Sequence, residues 1–163
     1  MKQLIIVRHA KSSWDFSTLD DFDRPLNDRG HKDAPVMAKR LLTKKIAIDA
    51  FVSSTAKRAF TTAAYFAEVY GIKEKGILKV PKLYHAEPPV FLDVIKHMDN
   101  ALNTIAIFSH NPGITEFVNS LTNARIDNMP TCGVFGVKIN TDKWSDFENA
   151  TKDFWFFDYP KLK

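Results

Sequence analysis

The chain has a single cysteine, Cys132, among its 163 residues. One thiol excludes an intrachain disulfide framework and a cysteine cluster for zinc. No histidine or helix start stands near it in sequence to activate it, so it reads as a buried thiol and not a nucleophile. Long apolar runs are also missing. The first, Leu4-Ile5-Ile6-Val7, stops after four residues at Arg8 and His9. That is too short for a secretory apolar region or a membrane span, so no membrane partner is expected and the cytoplasm is the expected location. Lys/Arg-rich runs and basic stripes interleaved with aromatics are absent too. The 23 Lys+Arg against 19 Asp+Glu leave a net charge of +4, which suits an anionic ligand but not a nucleic acid. There is no Gly-rich phosphate loop, no internal repeat, no low-complexity tract and no linker. The length supports one well-buried core, so a single domain over 1–163 is expected.

What is present is a regular alternation of elements. Leu4 to Val7 reads as a strand buried on both faces, because its run is continuously apolar and rich in β-branched residues. A polar and aromatic loop follows from Ser12 to Asp23. Asn27 then caps a helix that runs to about Thr43, with Leu26 placed as a hydrophobic staple. Pro35 inside this helix is expected to mark a kink or a later effective start. Ile48 to Val52 reads as a second strand and Ala59 to Ala67 as part of a helix ended by Gly71. Ile77 to Val80 is a third strand, Leu83 to Pro89 a loop, and Val90 to Met98 a helix. Asn103 to Ser109 repeats the character of the first strand, and a helix starts at Asn111-Pro112-Gly113. Val134 to Ile139 and Phe154 to Tyr159 are the last strands. No helical pattern separates them beyond one turn near Trp144, so they should pair antiparallel. The order predicts an α/β fold in three layers: a mainly parallel sheet, helices on both faces, and an antiparallel C-terminal strand.

Three strand ends carry related chemistry. The first ends in Arg8-His9. The second is followed by Ser53-Ser54 and then Lys57-Arg58. The fourth ends in Ser109-His110-Asn111. A parallel sheet brings such ends to one edge, where open α/β sheets bind ligands. Two arginines and two histidines there make an anion site, and the carboxylates of a metal cage are absent from these positions. Phosphoryl transfer fits the parts: a neutral imidazole supplies an in-line nucleophile, and cations hold the equatorial oxygens. Neighbouring guanidinium groups keep the imidazole unprotonated, and its other nitrogen should donate to a carbonyl or carboxylate.

These residues resemble a known group, the histidine phosphatase (phosphoglycerate mutase-like) superfamily. Arg8-His9-Ala10 is similar to its Arg-His-Gly/Ala signature. Ser54 to Ala63 resembles its Ser-x-x-x-Arg-Ala-x-x-Thr-Ala helix, and Ser109-His110-Asn111-Pro112-Gly113 its second-histidine motif. Leu26-Asn27-Asp28-Arg29-Gly30 matches its Leu-Thr-x-x-Gly helix start with Asn in place of Thr. The ordered set spans positions 8 to 113, and the short chain looks most like SixA-type phosphohistidine phosphatases. The resemblance implies a phosphoglycerate mutase-like fold, His9 as the nucleophile, and Arg8, Arg58 and His110 as the phosphate pocket, joined by Asn111 in substrate binding. It implies no metal and no other cofactor.

The match departs at the proton donor. Where many superfamily members carry a glutamate after a leucine, this chain reads Leu83-Tyr84-His85-Ala86-Glu87. His85 stands in the expected place and Glu87 follows two residues later; either, or neither, donates a proton. An alkoxide leaving group depends on such an acid, whereas imidazole is readily protonated near neutral pH. The departure therefore favours phosphohistidine on a protein as substrate. The short Val80–Val90 stretch leaves the site open to a protein surface, with Lys11, Trp14 and Phe16 as candidate rim residues. The alternatives are a phosphatase for small phosphoesters and a phosphate-recognising module without turnover.

Overall fold

The alternating apolar strand and amphipathic helix pattern folds into one six-stranded sheet between two layers of helices. The computed structural model describes residues 1–15 and 18–162. The strands are β1 (Lys2–Arg8), β2 (Ala50–Ser53), β3 (Leu78–Lys79), β4 (Thr104–Ser109), β5 (Val134–Ile139) and β6 (Lys152–Asp158). The helices are α1 (Asp28–Thr43), α2 (Lys57–Val69), α3 (Pro88–Lys96) and α4 (Gly113–Leu121). The sheet order is β3-β2-β4-β1-β5-β6. β1, β2, β3 and β4 are mutually parallel. β5 runs antiparallel to both β1 and β6, so it is the one reversed strand.

Alternation along β1 divides the core. Leu4 and Ile6 face the cluster that includes Phe91, Ile95, Phe117 and Val118 of α3 and α4. Ile5 and Val7 face Met37, Leu41, Ala63 and Phe66 of α1 and α2. A strand covered on both sides has no solvent face, which is why its sequence is a continuous apolar run.

The expected elements occur with shifted ends. β3 is confined to two exposed edge residues inside the Ile77–Val80 stretch. The Leu83–Pro89 loop is bounded by a 3-10 turn at Pro81–Leu83, and α3 begins at Pro88 and Pro89, where a missing N–H costs nothing. α1 runs through Pro35 without a break, contrary to the expected late start. Pro35 lies on a half-exposed side of α1, and the preceding-turn residue His31 is exposed, so water can reach the carbonyl that the proline leaves unpaired. The Asn27 side chain accepts from the Gly30 N–H at 2.9 Å, and the Asn27 N–H donates to the Lys11 carbonyl at 3.0 Å. A Cβ on Gly30 would lie 2.1 Å from that same carbonyl, so glycine is what lets α1 seat against the loop after β1.

Candidate active site

Register brings the chemistry together. Arg8 on β1 pairs with Ser109 on β4, and Ser53 on β2 with Phe108. The three strand ends are therefore neighbours, and the His9 N–H donates to the Ser109 carbonyl at 3.2 Å. A cavity of about 300 Å³ opens there, lined by Arg8, His9, Lys11, Ser12, Trp14, Asp21, Arg24, Arg58, His85, His110, Asn111 and Thr131.

His9 is buried, and its Nδ1 lies 2.8 Å from the Ala10 carbonyl. A carbonyl only accepts, so Nδ1 carries the proton and Nε2 keeps the lone pair. The loop that supplies this carbonyl is itself held: the Ala10 N–H donates to Thr62 Oγ1 at 2.9 Å, and that hydroxyl donates to the Arg58 carbonyl at 2.8 Å. Burial lowers the His9 pKa from its ordinary 6.5 to about 3, against the pull of the Ala10 hydrogen bond, with Arg8, Arg58 and Arg24 adding to the lowering. His110 lies with its ring centroid 5.2 Å from that of His9. Burial, then the proximity of the His9 ring and the Arg58 guanidinium, lower it to about 2. Its Nε2 is 2.8 Å from Ser54 Oγ.

Each arginine is anchored through a terminal nitrogen. Arg8 Nη1 donates to the Met129 carbonyl at 2.8 Å. Arg58 Nη1 donates to the Asp21 carbonyl at 2.6 Å, and its Nη2 to Asp21 Oδ2 at 2.9 Å. Among the described residues, three buried side-chain polar atoms lack a hydrogen-bond partner: Arg8 Nε, Arg58 Nε and His110 Nδ1. All three belong to residues that line this cavity. Buried polar groups are otherwise almost always paired, so the concentration of exceptions around His9 marks a place built to receive hydrogen-bond acceptors.

The other expected residues divide. His85 faces the cavity, at φ +59° and with its ring centroid 3.9 Å from that of Tyr84. Glu87 caps the start of α3 without a side-chain hydrogen bond, is exposed, and is not among the lining residues. Asn111 lines the cavity, but its Nδ2 donates to Asn128 Oδ1 and to the Met129 carbonyl, while its Oδ1 accepts from Thr115. Both amide protons are thus committed to the turn that holds Arg8. Lys11 and Trp14 stand at the rim, and Phe16 lies outside the described residues.

Several lining residues were not singled out from sequence. Arg24 stacks on Trp14 at 3.5 Å and donates to Ser12 Oγ and to Asp21 Oδ1. Its sequence signal, Arg24-Pro25-Leu26, reads only as a helix approach. Asp21 belongs to an acidic loop with no periodicity. Burial would raise its pKa, but hydrogen bonds from Tyr84, Arg58 and Arg24 hold the carboxyl well below the usual carboxylate range. Cys132 is buried as expected, and its N–H donates to the carbonyls of both Arg8 and His9. No helix of the described chain is long and apolar enough to cross a membrane.

Comparison with known proteins bears on the fold and on the N-terminal half of the chain. Residues 4–79 match the family model of the histidine phosphatase superfamily (branch 1). An uncharacterized chloroplastic protein of Arabidopsis thaliana is 29% identical over 154 residues, covering 89% of this chain and 70% of its own. Phosphoserine phosphatase 1 of Hydrogenobacter thermophilus is 37% identical over 87 residues, 49% of this chain and 39% of its own. Among solved structures, SixA of Agrobacterium tumefaciens superposes with a TM-score of 0.83 at 22% identity, covering 98% of each chain. The protein histidine phosphatase SixA complexed with tungstate superposes with a TM-score of 0.81 at 20% identity, covering 97% of each chain.

Proposed function

We propose that the chain, whose residues 4–79 match the family model of the histidine phosphatase superfamily, is a metal-independent phosphatase whose substrate is phosphohistidine on a protein. The observation that carries the chemistry is the His9 tautomer: Nδ1–H is tied to the Ala10 carbonyl, and Nε2 is unprotonated in a cavity lined by two arginines whose buried Nε atoms lack protein partners. His9 Nε2 attacks the phosphorus in line, and the bond from phosphorus to the leaving nitrogen breaks. Arg8, Arg58 and His110 hold the equatorial oxygens as charge redistributes. Water then attacks phosphorus of the phosphorylated His9, releasing inorganic phosphate and restoring the neutral ring.

The leaving group argues for nitrogen. A phosphohistidine protonated on its second ring nitrogen departs as neutral imidazole and asks nothing of an acid at the breaking bond. An alkoxide does need one. Glu87 is exposed and does not line the cavity, and His85 is the one titratable group of the Leu83–Glu87 stretch among the lining residues. The open mouth, with Trp14 71% exposed at its edge, suits a substrate presented on a folded surface. The second reading, a small-phosphoester phosphatase with His85 as acid, draws on the similarity to phosphoserine phosphatase 1.

The test offers a phosphohistidine protein and a panel of small phosphoesters, phosphoserine included, to wild type and His9→Ala. Turnover of the phosphohistidine protein that vanishes in His9→Ala is expected. A clear preference for a phosphoester would replace the substrate, and turnover surviving in His9→Ala would remove the mechanism. Tight phosphate binding without turnover of anything would make the chain a recognition module.

A further inference from the structure

We propose that Asp21 is a positioning residue that fixes Arg58 and Arg24 for the phosphoryl group, and does not compete with that group for them. The proposal rests on reading the cavity as a phosphate pocket. Asp21 sits in the 3-10 turn Asp21–Asp23 between β1 and α1. Oδ1 accepts from Arg24 Nε at 3.1 Å, and Oδ2 accepts from Arg58 Nη2 at 2.9 Å and from the Tyr84 hydroxyl at 2.6 Å. The main-chain carbonyl of the same residue takes Arg58 Nη1. One residue thus ties together the loop after β1, the start of α2 and the loop after β3.

A carboxylate on an arginine beside a phosphate pocket has two opposite interpretations. It either occupies the guanidinium edge that the substrate needs, or it holds the guanidinium by another edge so that the needed one is aimed. The edges decide. Asp21 grips Arg58 end-on, through Nη1 and Nη2, and leaves Nε buried without a partner among the described residues. A guanidinium has five donors in a planar fork, so an end-on grip still leaves the Nε side for a second acceptor. Arg8 shows the same division: Nη1 is held by the Met129 carbonyl and Nε has no partner. Both arginines, which line the cavity together with His9, are therefore anchored at the tip and keep a buried Nε uncommitted. The two anchors differ in one respect. The Met129 carbonyl is neutral, whereas Asp21 brings a full charge, shared between Arg24 and Arg58. That charge offsets part of the repulsion among three guanidinium groups around one cavity.

The Tyr84 hydroxyl is the third leg of the anchor. Its ring lies edge-on to Phe22, with centroids 5.1 Å apart, and edge-on to His110, at 5.5 Å. It keeps the Asp21 carboxylate from rotating off Arg58.

The variants are Asp21→Asn, which keeps the shape and removes the charge, and Tyr84→Phe, which keeps the charge and releases one leg. Binding of tungstate by calorimetry, together with kcat and KM for a phosphohistidine protein, separates the outcomes. Asp21→Asn should weaken tungstate binding and raise KM by about ten- to a hundred-fold, the scale of a lost charge-assisted contact, with a smaller change in kcat. Tyr84→Phe should move the same quantities in the same direction by about two- to five-fold, the scale of a neutral hydrogen bond, and it remains informative if Asp21→Asn does not fold. The kcat pH profile should keep its shape in both variants, because Asp21 transfers no proton. Tighter tungstate binding in either variant would mean that Asp21 competes with the anion, and a lost acid or base limb in Asp21→Asn would make it a proton donor; each overturns the proposal. A wild type that binds no tungstate would instead overturn the phosphate pocket itself.

Discussion

Burial of two neutral imidazoles makes a quantitative demand on acid stability. His9 and His110 are both nearly inaccessible, and their pKa values fall from 6.5 to about 3 and about 2. Between pH 6.5 and 3 the unfolded chain binds protons that the folded chain does not, so stability is full above pH 6.5 and is lost on acidification through that window. The limiting slope is about 1.4 kcal/mol per pH unit for each histidine. Between pH 7 and 5, each should remove about 2 kcal/mol, and the pair about 4 kcal/mol. The depressed carboxylates do not interfere, because Asp21, Asp93 and Asp142 lie below the usual carboxylate range and act only in stronger acid. Urea unfolding at pH 7, 6 and 5 reads the difference directly, provided the m-value is constant. The pH 7 to 5 loss should fall by about half in His9→Asn and nearly vanish from this source in His9→Asn/His110→Asn. Comparing losses within each variant removes any general destabilisation by the substitution. A double variant that keeps the full wild-type pH dependence would show that these histidines titrate normally, and the case for a neutral nucleophile would fail.

Other perturbations probe the supports of the site. Thr62→Val leaves the buried Ala10 N–H without its acceptor and should cost about 1–3 kcal/mol in urea unfolding, with a drop in kcat as the carbonyl that fixes the His9 tautomer loosens. Gly113→Ala places a Cβ 1.7 Å from the Ala86 carbonyl, so it should displace the Tyr84–Glu87 loop and destabilise by about 1–3 kcal/mol, visible as a lowered melting temperature and a raised KM. Thr115→Val breaks the hydroxyl link from Asn111 Oδ1 to the Met129 N–H and should weaken tungstate binding through Arg8 by about three- to ten-fold. A melting-temperature loss with unchanged anion binding would confine Thr115 to a packing role.

The parts of the site that were legible in sequence are those that the sheet register delivers. Arg8-His9 and Ser109-His110 end adjacent parallel strands, and Arg58 opens the helix after a third, so strand patterning alone implies their meeting. The parts that were not legible come from loops. Asp21 and Tyr84 are 63 residues apart and have no periodic context, yet they share one hydrogen bond. Arg24 looked like the approach to a capped helix, and its role as a wall of the cavity depends on stacking with Trp14. That His85 lines the cavity and Glu87 does not follows from backbone geometry. His85 takes a positive φ that re-aims the chain, and Glu87 is then drawn to the start of α3 by Pro88 and Pro89. In the fold, Pro35 misled because, on a half-exposed helix side, the carbonyl that the proline leaves without an N–H donor is open to water and does not face a buried void.

The most direct measurement is phosphorus NMR of the enzyme quenched in alkali during turnover. A base-stable, acid-labile phosphoramidate on His9 Nε2 is expected in the wild type, and none in His9→Asn. A phosphoryl group found on His110, or persisting in His9→Asn, would contradict the assignment of His9 as the nucleophile.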